Sequence, residues 1–137
     1  MRHPFVCTLL LPILFSAPLL AQESLTNEKI CPTFDACRSA GHFDGRLWHF
    51  LDNAPTGAEA LKYTFLLGLS DGLGNLAVKN KLDQVGNELD RVYADPANSR
   101  IPLNEAFLAI AKRLNGRLND ADFAARLQSL RRIAAAH

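Results

Sequence analysis

The stretch LKYTFLLGLSDGLGNLAV, residues 61–78, decides how this chain is read. Tyr63 to Leu69 is apolar nearly all round apart from Thr64, the pattern of a helix buried on several sides. Ser70 and Asp71 break the run too early for it to span a bilayer. Thr56, with Glu59 three residues on, makes a capping box and sets the expected start. The helix is predicted to run to about Lys79. Gly68, Gly72 and Gly74 fall inside it, each costing on the order of 1 kcal/mol relative to alanine. Close approach of another helix backbone along the Gly68–Gly72 face is the expected offset. The stretch is therefore read as the central helix of a small all-α domain.

The flanking segments extend that reading. DGRLWHFLDN, beginning at Asp44, crowds Leu47, Trp48, Phe50 and Leu51 into barely two turns, and Asn53-Ala54-Pro55 stops it. Trp48 and Phe50 suit either core packing or a ligand platform, and packing is the commoner use of such residues. Beyond Asn80, Leu82, Val85, Leu89 and Val92 recur at intervals of three, four and three, a helical stripe running to about Tyr93. ADPANSRIP follows as a loop, with Asp95 capping a tight turn and Asn98 and Ser99 able to bond local backbone. Pro102 suits the first turn of the next helix, whose inward face is Leu103, Phe107, Ile110, Ala111 and Leu114. Gly116 is its expected C-terminal stop. Asn119 caps a last helix that turns Phe123, Leu127, Leu130 and Ala134 inward and Arg126, Arg131 and Arg132 outward. Late arginines suit the helix dipole without any partner. The fold predicted is all-α, a compact bundle of four main helices plus a short N-terminal helix, with short loops and antiparallel neighbours.

Length and charge bound the function. A chain of 137 residues sets a prior of one domain, here residues 44–137. The 15 Lys+Arg against 14 Asp+Glu give no basic excess for nucleic acid. Residues 1–21 read as a secretory signal: Arg2 and His3, an apolar run from Phe5 to Leu20, then Ala21 before the cut. A retained anchor is the competing reading, against which stand the shortness of the run and its two prolines. The mature protein is expected in the periplasm or medium of a bacterium, with no membrane segment after cleavage. Residues 22–43 form an irregular arm, in which Cys31 and Cys37 close a small loop. A disulfide there stabilises by about 2 kcal/mol on the chain-entropy estimate. Free thiols and a metal site are the alternatives, and the metal lacks a second close ligand pair.

No catalytic constellation emerges. His42, His49 and His137 lie in no recognisable motif, no serine sits in a nucleophile elbow, and no glycine pattern cradles phosphate. The expectation is a protein that is not an enzyme and needs no cofactor. Asp71 resists a bland account, because a carboxylate in an apolar helix needs a partner or a cleft. In one reading it takes hydrogen bonds or a salt bridge from the DPANSR loop, from Arg100 or from backbone amides. In the other, Asp71 and Asn75 floor a small polar pocket walled by Asp90, Tyr93, Asp95 and Asn98. A hydrolase pairing Asp71 with Asp90 or Asp95 ranks below both, since two such carboxylates must face one cleft.

These residues also form a pattern. Gly45-x-x-Trp48, Lys62-Tyr63, Gly68-x-x-Asp71-Gly72 and Leu89-Asp90-x-x-Tyr93-x-Asp95-Pro96-x-Asn98-x-x-Ile101-Pro102 together resemble a group of small exported bacterial proteins of unassigned function. The likeness covers about Phe43 to Gly116, and the Tyr93–Pro102 loop is its most specific part. More distantly the chain is similar to the Tai-type immunity proteins, which neutralise type VI secretion amidase effectors in the periplasm. It departs from them in that both cysteines precede residue 44. The resemblance implies an exported helical domain with a protein partner in the cell envelope. A homodimer is compatible with it, and a small-ligand module around Asp71 is the alternative.

Overall fold

The computed structural model describes residues 33–54, 56–74, 78 and 81–136. The expectations for the signal segment, for Cys31 and its pairing, and for Asn75 therefore fall outside the described residues. Among the described residues six helices follow one another: α1 (Phe34–Ser39), α2 (Gly45–Asp52), α3 (Ala58–Gly72), α4 (Leu82–Tyr93), α5 (Leu103–Leu114) and α6 (Asp120–Ala135), with a 3-10 turn at Pro96–Asn98 before α5. Among the described residues there is no strand, only an isolated antiparallel bridge between Asp44 and Pro102. The all-α class is as predicted. No helix among these residues is long and apolar enough to cross a membrane.

Local chemistry sets most of the boundaries. Asp44 caps α2 by accepting from the Arg46 amide at 2.9 Å, and Asn119 caps α6 by accepting from the Asp122 amide at 2.8 Å. Asp95 accepts from the Ala97 amide at 3.0 Å and opens the 3-10 turn, with Pro96 at its first position. Gly116 adopts φ +69° just after α5, the left-handed geometry that suits glycine. Lys81 reaches from the start of α4 to the Leu114 carbonyl at 2.9 Å, satisfying an orphan acceptor at the end of α5.

Three expectations about where elements begin and end fail, each for an identifiable reason. The arm is not irregular throughout: Thr33 accepts from the Ala36 amide at 3.1 Å and starts α1, whose Cys37 is buried in the core. The capping box at Thr56 does not form, because Gly57 takes the N-cap position with φ +70° and no side-chain cap bond. Finally, α3 stops at Gly72 rather than near Lys79. Leu73 caps it, and Gly74 at φ +82° donates to the Asp71 carbonyl at 3.2 Å, turning the chain out of the helix.

The core gathers on α4 and α5. Leu82, Val85, Leu89 and Val92, the predicted stripe, are all buried, and Tyr93 joins them. Leu103, Phe107, Ile110 and Ala111 face them from α5, with Leu114 only half-buried. α4 packs against α2, α3, α5 and the 3-10 turn, so it is the hub. The expected central helix is peripheral instead: α3 fully buries Leu66 and Ser70, and leaves Leu61 and Tyr63 each 47% exposed.

Candidate functional site

The polar residues singled out by the sequence fall into a tie that binds α2 to the far end of α4, and into the surfaces beside it. The tie begins at Gly45. A Cβ there would stand 2.5 Å from Tyr93 Cδ1 and 3.0 Å from the Ser99 carbonyl oxygen, so only glycine fits without displacement. Its amide donates to that same Ser99 oxygen at 2.9 Å. The Tyr93 hydroxyl donates to the Ile101 carbonyl at 2.9 Å and is buried. Burial, with a smaller contribution from the Asp44 charge, pushes the phenol far above its ordinary range, so it stays a proton donor.

Asn98 closes the same loop from inside. Its amide nitrogen donates to the Val92 carbonyl at 2.6 Å, and its amide oxygen accepts from Arg131 Nε at 2.5 Å. Arg131 also donates to Asp95. The arginine predicted to point outward from α6 thus fastens that helix to the 3-10 turn. Asp90, one turn earlier than Tyr93, accepts from Trp48 Nε1 at 2.8 Å and from Lys62 Nζ at 2.7 Å. Lys62 lies 4.4 Å from the centre of the Trp48 ring and pairs with Asp52 as well. One ammonium therefore joins α2, α3 and α4. Trp48 is fully buried, the packing role of its two readings.

The predicted polar pocket assembles only in part. Tyr93, Asp95 and Asn98 meet in the loop just described, and Asp90 lies beside them on α4, engaged with Trp48. Asp71 lies in the last turn of α3, exposed to solvent. The burial that made a partner necessary is therefore absent. Gly68 and Gly72 fare similarly: among the described residues nothing lies within 4 Å of a Cβ built on either. No described helix uses that face.

Two grooves flank the tie. Between α3 and α4 lies one of about 360 Å3, with Asp52, Glu59, Asp83 and Asp90 around Lys62. A larger one of about 620 Å3 opens between the start of α5 and the second half of α6, lined by Arg46, Arg100 and Arg126 together with Leu130 and Ile133. Only Arg100 of that set was expected at a site. Sequence spacing gives no warning of the rest, because they come from α2, the loop before α5, and α6. Among the described residues no group of three or more His, Cys, Asp or Glu side chains is placed to hold a metal. Comparison with family models, with curated proteins and with solved structures finds no match for the chain.

Proposed function

We propose that this is an exported bacterial helical domain, non-enzymatic, that binds another protein of the cell envelope through the outer face of α3. The observation that supports it is the pair of helix glycines, Gly68 and Gly72, facing open space. Glycine weakens a helix interior, and no described neighbour in this chain takes advantage of the missing side chains. Leu61, Thr64 and Asp71 are exposed on the same face, giving it an apolar residue, small residues and one charge. Such a face lets a partner backbone approach closely. Neutralisation of an envelope-targeting effector is the specific form suggested by the resemblance to Tai-type immunity proteins. Export, with a Cys31–Cys37 disulfide formed in an oxidising compartment, belongs to the same reading.

The test is capture from envelope extract with the wild-type protein and with Gly68→Leu. Nothing among the described residues lies within 4 Å of a Cβ at position 68, and a thermal melt checks that the leucine variant folds. A partner recovered by the wild type and lost by the variant supports the reading. Recovery of the same partner by both would remove the α3 face, and no recovery at low salt would remove protein binding. The alternative, a small-ligand pocket around Asp71, has less behind it, since Asp71 lines neither groove described above.

A further inference from the structure

α3 is 15 residues long and buries only two side chains, Leu66 and Ser70, whereas α4 buries five and α5 six. Phe65, Leu67 and Leu69 rest half-buried against the core. The Ser70 hydroxyl is fully buried and has no hydrogen-bond partner among the described residues. In water it would recover that bond, so its burial weakens the seat of α3. Gly68 and Gly72 weaken the helix itself.

A charge fastens this helix. Lys62 Nζ donates to Asp90 of α4 at 2.7 Å and pairs with Asp52 of α2. It stands 4.4 Å from the centre of the Trp48 ring, and its side chain is only 13% exposed. One ammonium thus covers the tryptophan and links α3 to both of the helices it packs on. Such charged bonds are strong, but they act at one point near the start of the helix. The chain turns at both ends of α3, with φ +70° at Gly57 and φ +82° at Gly74. Among the described residues nothing lies within 4 Å of a Cβ built on either, so both turns have room to pivot. Beyond them the chain is anchored again, by Leu51 on one side and Val78 on the other, both buried in the core.

We propose that α3 is a clasped lid: it undocks as a unit, pivoting at Gly57 and Gly74, while α2, α4, α5 and α6 stay folded, and Lys62 is the clasp. Opening uncovers the Trp48 ring, Leu66 and the carboxylates of Asp52 and Asp90, and returns the Ser70 hydroxyl to water. Cooperative opening of one element, below the global transition, is the behaviour of segments that bury few side chains. The lid needs no partner to open, so it stands or falls independently of the protein-binding reading.

Native-state hydrogen exchange on the purified protein, resolved by residue at neutral pH, tests the proposal. The helical amides of α3 are expected to share one opening equilibrium, at least about tenfold more open than that of the α4 amides. Lys62→Met should raise exchange in α3 about tenfold and leave α5 and α6 unchanged. Ser70→Ala removes the orphan hydroxyl and should slow exchange in α3 alone. A thermal melt checks that the variants fold, and Ser70→Ala decides the matter should Lys62→Met not do so. Exchange of α3 and α4 together in one global step would overturn the lid. So would a Lys62→Met effect spread equally over every helix, or faster exchange of α3 in Ser70→Ala.

Discussion

α3 and α4 are neighbours of similar length that reverse the expectation set by their composition. α3 holds the most apolar run of the described chain and lies at the edge, while α4 is largely polar and sits at the hub. The difference is arrangement. In α4 the apolar residues line one side, so a helix with Asp, Gln, Asn, Glu and Arg can still bury five side chains. In α3 they are spread round the circumference, and only part of that circumference finds a neighbour. A narrow stripe specifies its place in a bundle better than a greater amount of hydrophobic surface does.

The largest test of that contrast is a pair of leucine deletions. Leu89→Ala on α4 removes a fully buried side chain and should cost about 2–5 kcal/mol. Leu61→Ala on α3 should stay within about 0.5 kcal/mol, as for other surface positions. Denaturant melts of the two variants measure this directly. Equal losses would mean that α3 is buried in solution by something outside the described residues.

A pair of glycines sharpens the comparison further. Gly45→Ala drives a methyl into Tyr93 of α4 and should cost about 1–3 kcal/mol. Gly68→Ala meets open space in a helix interior and should gain about 0.5–1 kcal/mol. Opposite shifts in melting temperature are expected, and a loss at position 68 would contradict the open face.

Tyr93→Phe should cost only about 1 kcal/mol at neutral pH, from the lost bond to the Ile101 carbonyl. Its pH dependence is more telling. The folded phenol titrates above its ordinary value of 10.0 because burial and Asp44 disfavour the anion. Its contribution is therefore complete below about pH 10 and is lost as pH rises beyond that. Stability curves of wild type and Tyr93→Phe should run parallel up to about pH 10 and converge above it. Parallel curves throughout would place the phenol in water.

The same contrast explains what was legible in the sequence. The α4 stripe, the caps at Asp95 and Asn119, and the stop at Gly116 all depend on neighbours in sequence, and all are found in the structure. Position in the bundle is set by residues far apart, and there the apolar run at 61–78 misled. That run carries two charges, Lys62 and Asp71. The glycines on either side of Asp71 drew attention to it, whereas Lys62 makes the contacts, between Asp52, Asp90 and the Trp48 ring. A lysine near the start of a helix reads as solvated, and nothing local says that a carboxylate 28 residues away will meet it. Arg131 hid in the same way, because a basic residue late in a helix already has a sufficient local explanation. The arginine groove draws on three separate segments and has no signature in any one of them.

Trp48 gives the molecule an optical property of its own. It is the single tryptophan of the chain, fully buried, with Asp90 on its ring nitrogen and the Lys62 ammonium against its face. Its emission therefore originates where α2, α3 and α4 meet, and reports whether those three helices are together. It lines neither the α5–α6 groove nor the open face of α3. The protein thus carries an intrinsic fluorophore that follows the folding of its hub while leaving the proposed α3 binding face unlabelled.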